Sequence, residues 1–99
     1  ATETAQMIIA LFHNDRRHIE ESGKATAGVL NVHAYLQKHP VATTTKIKQA
    51  CNVSLPTVLR ALTALEELEI VKEVTGKGRH KVFIYRQYID LLNQGTEPI

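Results

Sequence analysis

The pattern of apolar and polar positions predicts a chain built mainly from helices. Apolar residues recur three and four positions apart, which is the spacing of one face of a helix. Gly23 and Pro40 follow the first and second of these segments, and both are residue types that commonly end a helix. The predicted helices span 3–21, 25–38, 44–51 and 54–69.

The segment 50–68 has the features of a tight turn followed by a capped helix. Ser54 is an N-cap residue, and Pro56 follows in the first turn, where a missing backbone N–H costs nothing. Asn52 tolerates a left-handed backbone, and Val53 can insert between the two helices. A short helix, a tight turn and a second helix are typical of a helix-turn-helix.

The second helix of this motif has two faces when its residues are placed about 100° apart. The predicted apolar face contains Leu55, Val58, Leu59, Leu62 and Leu65. The predicted exposed face contains Pro56, Thr57, Arg60, Ala64 and Glu67. Thr57 and Arg60 lie near the N-terminus, where groove-reading side chains are found. The alternative is a helical hairpin that binds nothing, because a fold alone does not define a function.

Two segments after this motif, 70–74 and 81–86, are rich in β-branched and aromatic residues and predict strands. The glycine-containing basic segment 75–79 predicts the turn between them. A short last helix is predicted over 87–93, with Gly95 closing it.

Three helices followed by a two-stranded hairpin are typical of a winged helix-turn-helix. The predicted fold is therefore mainly α with a small β-hairpin, an extra N-terminal helix and a short C-terminal helix. The predicted division is a linking or packing helix over 1–24 and the winged helix-turn-helix over 25–99.

Composition is consistent with one domain of 99 residues. No apolar run approaches the roughly 18 residues that a membrane span needs. The single cysteine, Cys51, cannot form an internal disulfide, so a cytoplasmic protein is expected.

Net charge is only +2, but positive residues gather in 43–61, which has no acid, and in 72–86, where Glu73 is the one acid. Such clustering suits a polyanion.

Duplex DNA is the partner that this charge pattern and the helix-turn-helix favour. Thr57 and Arg60 are predicted to face base edges, residues of the short helix to meet phosphates, and the hairpin tip to contact backbone or minor groove. The predicted DNA-binding residues are Thr44, Thr45, Lys46, Lys48, Ser54, Thr57, Arg60, Lys77, Arg79 and His80. Two alternatives remain: the threonines only cap a helix, and the charged tip only protects a sheet edge.

The helix over 3–21 carries an apolar face that predicts a second kind of contact. Met7, Ile8, Leu11 and Phe12 form the predicted interaction face. This face either pairs with a second copy of the chain or another protein, or is a wall of the core.

Candidate catalytic and metal-binding groups do not cluster in the sequence. His13 and His18 are five positions apart and do not share a helix face, and the same holds for His33 and His39, six apart. Although His33 lies on the apolar side of the second helix, the expectation for the histidines is a scattered surface distribution. No metal, cofactor or catalytic activity is predicted.

Three segments resemble the C-terminal region of Fic-family proteins. They are Glu3-Thr4-Ala5 at the start of a helix, Ser54-Leu55-Pro56-Thr57, and the segment 73–98, EVTGKGRHKVFIYRQYIDLLNQGTEP. Members of that family carry a catalytic domain ahead of a winged helix. That domain transfers AMP from ATP to a protein hydroxyl, using a His-Pro-Phe loop and a Gly-Asn-Gly-Arg anion cradle.

The catalytic motif of that family is not in this sequence. His39-Pro40 is the one His-Pro pair, and Val41-Ala42 follow it in place of the family's Phe and glycines. The resemblance therefore implies a non-catalytic C-terminal module whose partner is a Fic catalytic domain of the parent protein. Such a module either binds DNA, forms a homodimer, or positions and regulates the catalytic domain.

Overall fold

The computed structural model describes residues 2–75 and 81–96. They form a mainly helical, compact domain with a small three-stranded antiparallel sheet. The elements are α1 (Thr2–Glu21), α2 (Ala27–Lys38), β1 (Val41–Thr43), α3 (Thr44–Cys51), α4 (Leu55–Glu67), β2 (Val71–Glu73), β3 (Val82–Tyr85) and α5 (Arg86–Thr96). Within the described ranges, no helix is both long and apolar enough to cross a membrane.

Short-range backbone signals set the boundaries of the first four helices. Gly23 has a φ of 79°, which ends α1 as predicted. Thr26 and Thr43 cap α2 and α3, because their hydroxyls accept the N–H groups of Val29 and Lys46, each at 3.1 Å. The cap at Thr26 makes α2 begin two residues later than predicted. Asn52 adopts the left-handed conformation expected for the turn after α3.

The sheet differs from the predicted two-stranded hairpin, because a third strand joins it. The strand order is β1-β3-β2, so β3 lies in the centre and pairs antiparallel on both sides. Val41 lies opposite Ile84, and Thr43 lies opposite Val82. Pro40 cannot continue a helix, and the β-branched residues that follow it suit an edge strand. β1 was not predicted.

The C-terminal helix is longer than predicted. It begins at Arg86, directly after β3, and ends at Thr96 rather than near Asn93. Gly95 therefore lies within the helix and does not close it. The helix lies along α1, where Tyr88 meets Phe12 edge-on at 4.9 Å between ring centroids.

One apolar core joins the helices to the sheet. Its buried members are Ile19, Val29, Val32, Leu36, Ala42, Ile47, Val58, Ala61, Leu62, Leu65, Ile70, Val71, Phe83 and Tyr85. Ile19 comes from α1, so the N-terminal helix contributes to the same core as α3 and α4.

A chain of four polar side chains crosses this core. The Tyr85 hydroxyl donates to Oδ2 of Asp15 at 2.6 Å, and Nε2 of His33 lies 3.0 Å from the same hydroxyl oxygen. Nδ1 of His33 lies 3.3 Å from the amide nitrogen of Gln37. His33 is 1% exposed, so the predicted surface location is wrong for this histidine.

The donors in this chain follow from the number of protons available. Tyr85 gives its one hydroxyl proton to Asp15, so its oxygen accepts from His33 Nε2–H. Nδ1 of His33 then accepts from the Gln37 amide, which assigns a neutral Nε2–H imidazole. Burial, with the charge of Arg16, lowers the pKa of His33 from 6.5 to about 4. Burial, then the hydrogen bond and charge of Asp15, raise the pKa of Tyr85, so its hydroxyl stays protonated.

Removing the Tyr85 hydroxyl leaves two polar groups without their partner. We expect Tyr85→Phe to lower the free energy of unfolding by about 1–3 kcal/mol, because buried His33 Nε2–H loses its acceptor. Tyr88→Phe is the matched control, since no hydrogen bond to that hydroxyl is found in the described ranges. Urea unfolding at pH 7 measures the free energy of unfolding of both variants. Equal small losses of stability in the two would contradict the assigned hydrogen bonds.

The buried histidine also predicts a pH dependence of stability. Unfolded His33 takes up a proton below pH 6.5, whereas folded His33 does so only near pH 4. The unfolded state therefore binds more protons in this window, and stability falls as pH drops. From pH 7 to pH 4.5 the expected loss is about 2–3 kcal/mol. Burial raises the pKa of Asp15 and outweighs the hydrogen bond from Tyr85 and the charge of His18, which lower it. Because the folded state then binds this proton more readily than the unfolded state, Asp15 favours the folded state as pH falls.

Urea unfolding at pH 7 and pH 4.5 tests this dependence. His33→Gln should remove the histidine contribution and reduce the stability difference between the two pH values. His13→Gln, which changes an exposed histidine on α1, should leave the difference as in the original protein. An unchanged difference in His33→Gln would show that another group causes the pH effect.

Candidate nucleic-acid interface

Three helices pack against one another to form the candidate interface. α3 and α4 are joined by residues 52–54, and each also packs against α2. Asn52 makes the sharp change of direction with φ of 54° and ψ of 51°. Val53 is half-buried against the core, as predicted. Ser54 then caps α4 by accepting the N–H of Thr57 at 3.4 Å.

The two faces of α4 differ from the prediction at their edges. Val58, Ala61, Leu62 and Leu65 form the buried face. Leu55 and Leu59, predicted to be buried, are 43% and 38% exposed. The outward face instead contains Pro56, Leu59, Arg60 and Thr63, followed by Glu66 and Glu67. Helical spacing had placed Leu59 on the apolar face, and Thr63 was not included in the predicted exposed face.

Thr57 does not point outward as predicted. It is half-buried, and a Cβ added at Gly28 in α2 would lie 3.1 Å from its methyl carbon. Its hydroxyl oxygen lies 2.9 Å from Oγ of Ser54. Both ends of this side chain are therefore engaged within the protein. Thr57 and Ser54 therefore fix the start of α4.

The predicted phosphate contacts on α3 separate into buried and exposed residues. Thr44 is 5% exposed, and its N–H donates to the Lys81 carbonyl at 3.2 Å, so its side chain cannot reach a phosphate. Thr45, Lys46 and Lys48 are exposed. In the described part of the chain, neither lysine forms an ion pair, which leaves both charges available.

Arg60 and Lys46 lie beside opposite ends of α2. Arg60 lines a groove of about 480 Å³ with the residues that begin α2, whereas Lys46 lines a groove with Tyr35 and His39 at its end. Arg60 is exposed and, within the described residues, makes no ion pair. The positive groups therefore border α2 on two sides and do not form a single cluster.

A wider groove of about 620 Å³ lies away from the predicted residues. Its lining carries both signs of charge: Asp15, His18, Glu66, Glu69, Lys72 and Arg86. Asp15 is already bound by the Tyr85 hydroxyl. In the described ranges, no group of three His, Cys, Asp or Glu side chains could hold a metal ion.

Only the base of the predicted hairpin lies within the described residues. Lys77, Arg79 and His80 lie outside the described residues. At the base, the N–H of Val74 donates to the Val82 carbonyl at 2.9 Å. The Thr75 hydroxyl donates to Glu73 at 3.1 Å and accepts the Val82 N–H at 3.4 Å.

The predicted interaction face on α1 is divided by the fold. Leu11 and Phe12 pack against the core, and Ile8 is half-buried. Met7 is 46% exposed, and Ile9, which the prediction did not include, is 56% exposed. Met7 and Ile9 lie about 160° apart around the helix. They therefore do not form one continuous apolar patch.

No family model, curated protein sequence or solved structure matches the chain. The described residues define a small, mainly helical domain with an antiparallel sheet. A functional assignment therefore depends on the exposed groups of α3 and α4.

The cap at Ser54 gives a prediction about the stability of the protein. Ser54→Ala should lower the free energy of unfolding by about 1 kcal/mol, because the Thr57 N–H loses its acceptor. Ser54→Asn should restore most of that loss, since asparagine is also a good N-cap. Urea unfolding of the two variants gives the comparison, and a destabilised Asn variant would show that the cap is not the cause.

Proposed function

We propose that this chain binds duplex DNA as a winged helix-turn-helix, with α4 in the major groove. The observation that carries the proposal is the exposed face in the first half of α4. Pro56, Leu59 and Arg60 are exposed, while Val58 and Ala61 on the opposite face are buried in the core. A helix that follows a tight turn and presents its N-terminal half outward is arranged to enter a groove.

The charges around α4 support a polyanion as the partner. Segment 43–61 contains Lys46, Lys48 and Arg60 and no acid. All three side chains are exposed, and their charges are not neutralised by ion pairs within the described residues. Unpaired surface cations attract phosphates over a distance of about 10 Å at moderate salt.

Each exposed group has a distinct proposed role. Arg60 can donate two hydrogen bonds to guanine O6 and N7, which is the commonest base-specific contact in the major groove. Lys48 and Thr45 on α3 contact phosphates and fix the position of α4. Lys77, Arg79 and His80 are proposed to contact the backbone or minor groove beside this site.

The arrangement of the sheet also supports a winged helix-turn-helix. The β2–β3 pair follows α4 directly, and β1 lies between α2 and α3 in the chain. The relation to Fic-family proteins stays a prediction. If it holds, DNA binding would bring a linked catalytic domain to a chromosomal site.

The proposal is tested by binding of the chain to a random pool of duplexes at two salt concentrations. We expect salt-sensitive binding with an enriched sequence, because phosphate contacts release counterions. Arg60→Ala should weaken binding to the enriched duplex by about 1–3 kcal/mol and relax the preference at one base pair.

Arg17→Ala is the matched control, because Arg17 is an exposed arginine on α1, away from α4. It should leave both affinity and sequence preference unchanged. No binding at low salt would refute DNA binding. Equal weakening of all duplexes by Arg60→Ala would limit Arg60 to a phosphate contact.

A further inference from the structure

Two leucines on the outward side of α4 are not used by the core. Leu55 and Leu59 remain exposed, although their neighbours Val58 and Leu62 are buried. Residues four apart lie on the same side of a helix, so the two leucines form one apolar strip. Apolar surface is unfavourable in water, and a strip of this kind at the side of an outward face is available for a contact that forms on binding.

Leu59 and Arg60 are placed symmetrically on the outward face of α4. Pro56 and Thr63 mark the middle of the outward face of α4, and Leu59 and Arg60 lie on either side of it, each about 50° away. A surface that approaches α4 along the middle of this face therefore contacts both side chains. Leu55 extends the apolar side toward the N-terminus of the helix.

The chemistry of the major groove supplies a matching group for this leucine. Base edges there present hydrogen-bond donors and acceptors, and thymine adds an apolar C5-methyl group. We infer that Leu59 is a specificity-determining residue that contacts a thymine methyl beside the base pair read by Arg60. This inference rests on the proposed DNA binding.

The surrounding charge favours DNA over an apolar peptide as the occupant. The first half of α4 and the whole of α3 contain no acidic residue, while Lys48 and Arg60 are exposed. An apolar strip on a helix whose exposed cation, Arg60, is unpaired within the described residues is suited to a polyanion that also displays methyl groups.

Uracil substitution provides the test, because it removes only the C5-methyl group. In the enriched duplex, each thymine is replaced in turn by uracil, and binding is measured by competition. We expect one position at which uracil weakens binding about fourfold, the effect of one buried methyl-sized group. Leu59→Ala should bind the thymine and uracil forms of that duplex equally, and Leu59→Met should keep the difference.

Ile9→Ala is the control for loss of an exposed apolar side chain, since Ile9 lies on α1. It should retain the thymine preference, and thermal unfolding should show that each variant is folded. Sequence-selective binding without any thymine–uracil difference, or an unchanged difference in Leu59→Ala, would overturn the inference and leave DNA binding intact. Absence of binding to any duplex would overturn both the inference and the proposed DNA binding.

Discussion

The fold depends on the environment of Tyr85 at the end of β3. Its backbone N–H donates to the Pro40 carbonyl at 2.8 Å, and its fully buried hydroxyl joins Asp15 of α1 to His33 of α2. A buried hydroxyl or imidazole without a partner costs about 1–3 kcal/mol. Alternative placements of α1 or α2 would break these hydrogen bonds. The polar contacts therefore hold the small core in one arrangement, which apolar packing alone would not specify.

The position of α2 then determines which part of α4 is exposed. α2 and α4 approach closely where small residues meet, with Gly28 facing Thr57. A Cβ at Gly28 would lie 3.1 Å from the Thr57 methyl carbon, so Thr57 would have to shift by a few tenths of an ångström. The close approach partly covers Thr57 and leaves Leu59 and Arg60 exposed. The outward face is thus set by packing within the helical part of the domain.

Local signals made much of the fold predictable, and long-range contacts account for the differences. Ser54 and Asn52 define the turn because they act on neighbouring backbone groups. β1 could not be predicted from its own residues, since a strand this short depends on pairing with the distant β3. The exposure of Leu59 was missed for a similar reason. Helical spacing gives the angle between residues, but it does not give the directions from which neighbouring helices approach.

The low net charge of the chain is compatible with DNA binding when the placement of acids is considered. Glu66 and Glu67 share the outward side of α4 with Arg60, but they lie in its last turn. Lys24 pairs with Glu67 at 2.8 Å, which offsets the acid at that end. An exposed pair of this kind adds little to stability. Its main effect is on the electrostatic potential, because it offsets one of the two acids at the end of a face whose N-terminal half carries Arg60 and no acid.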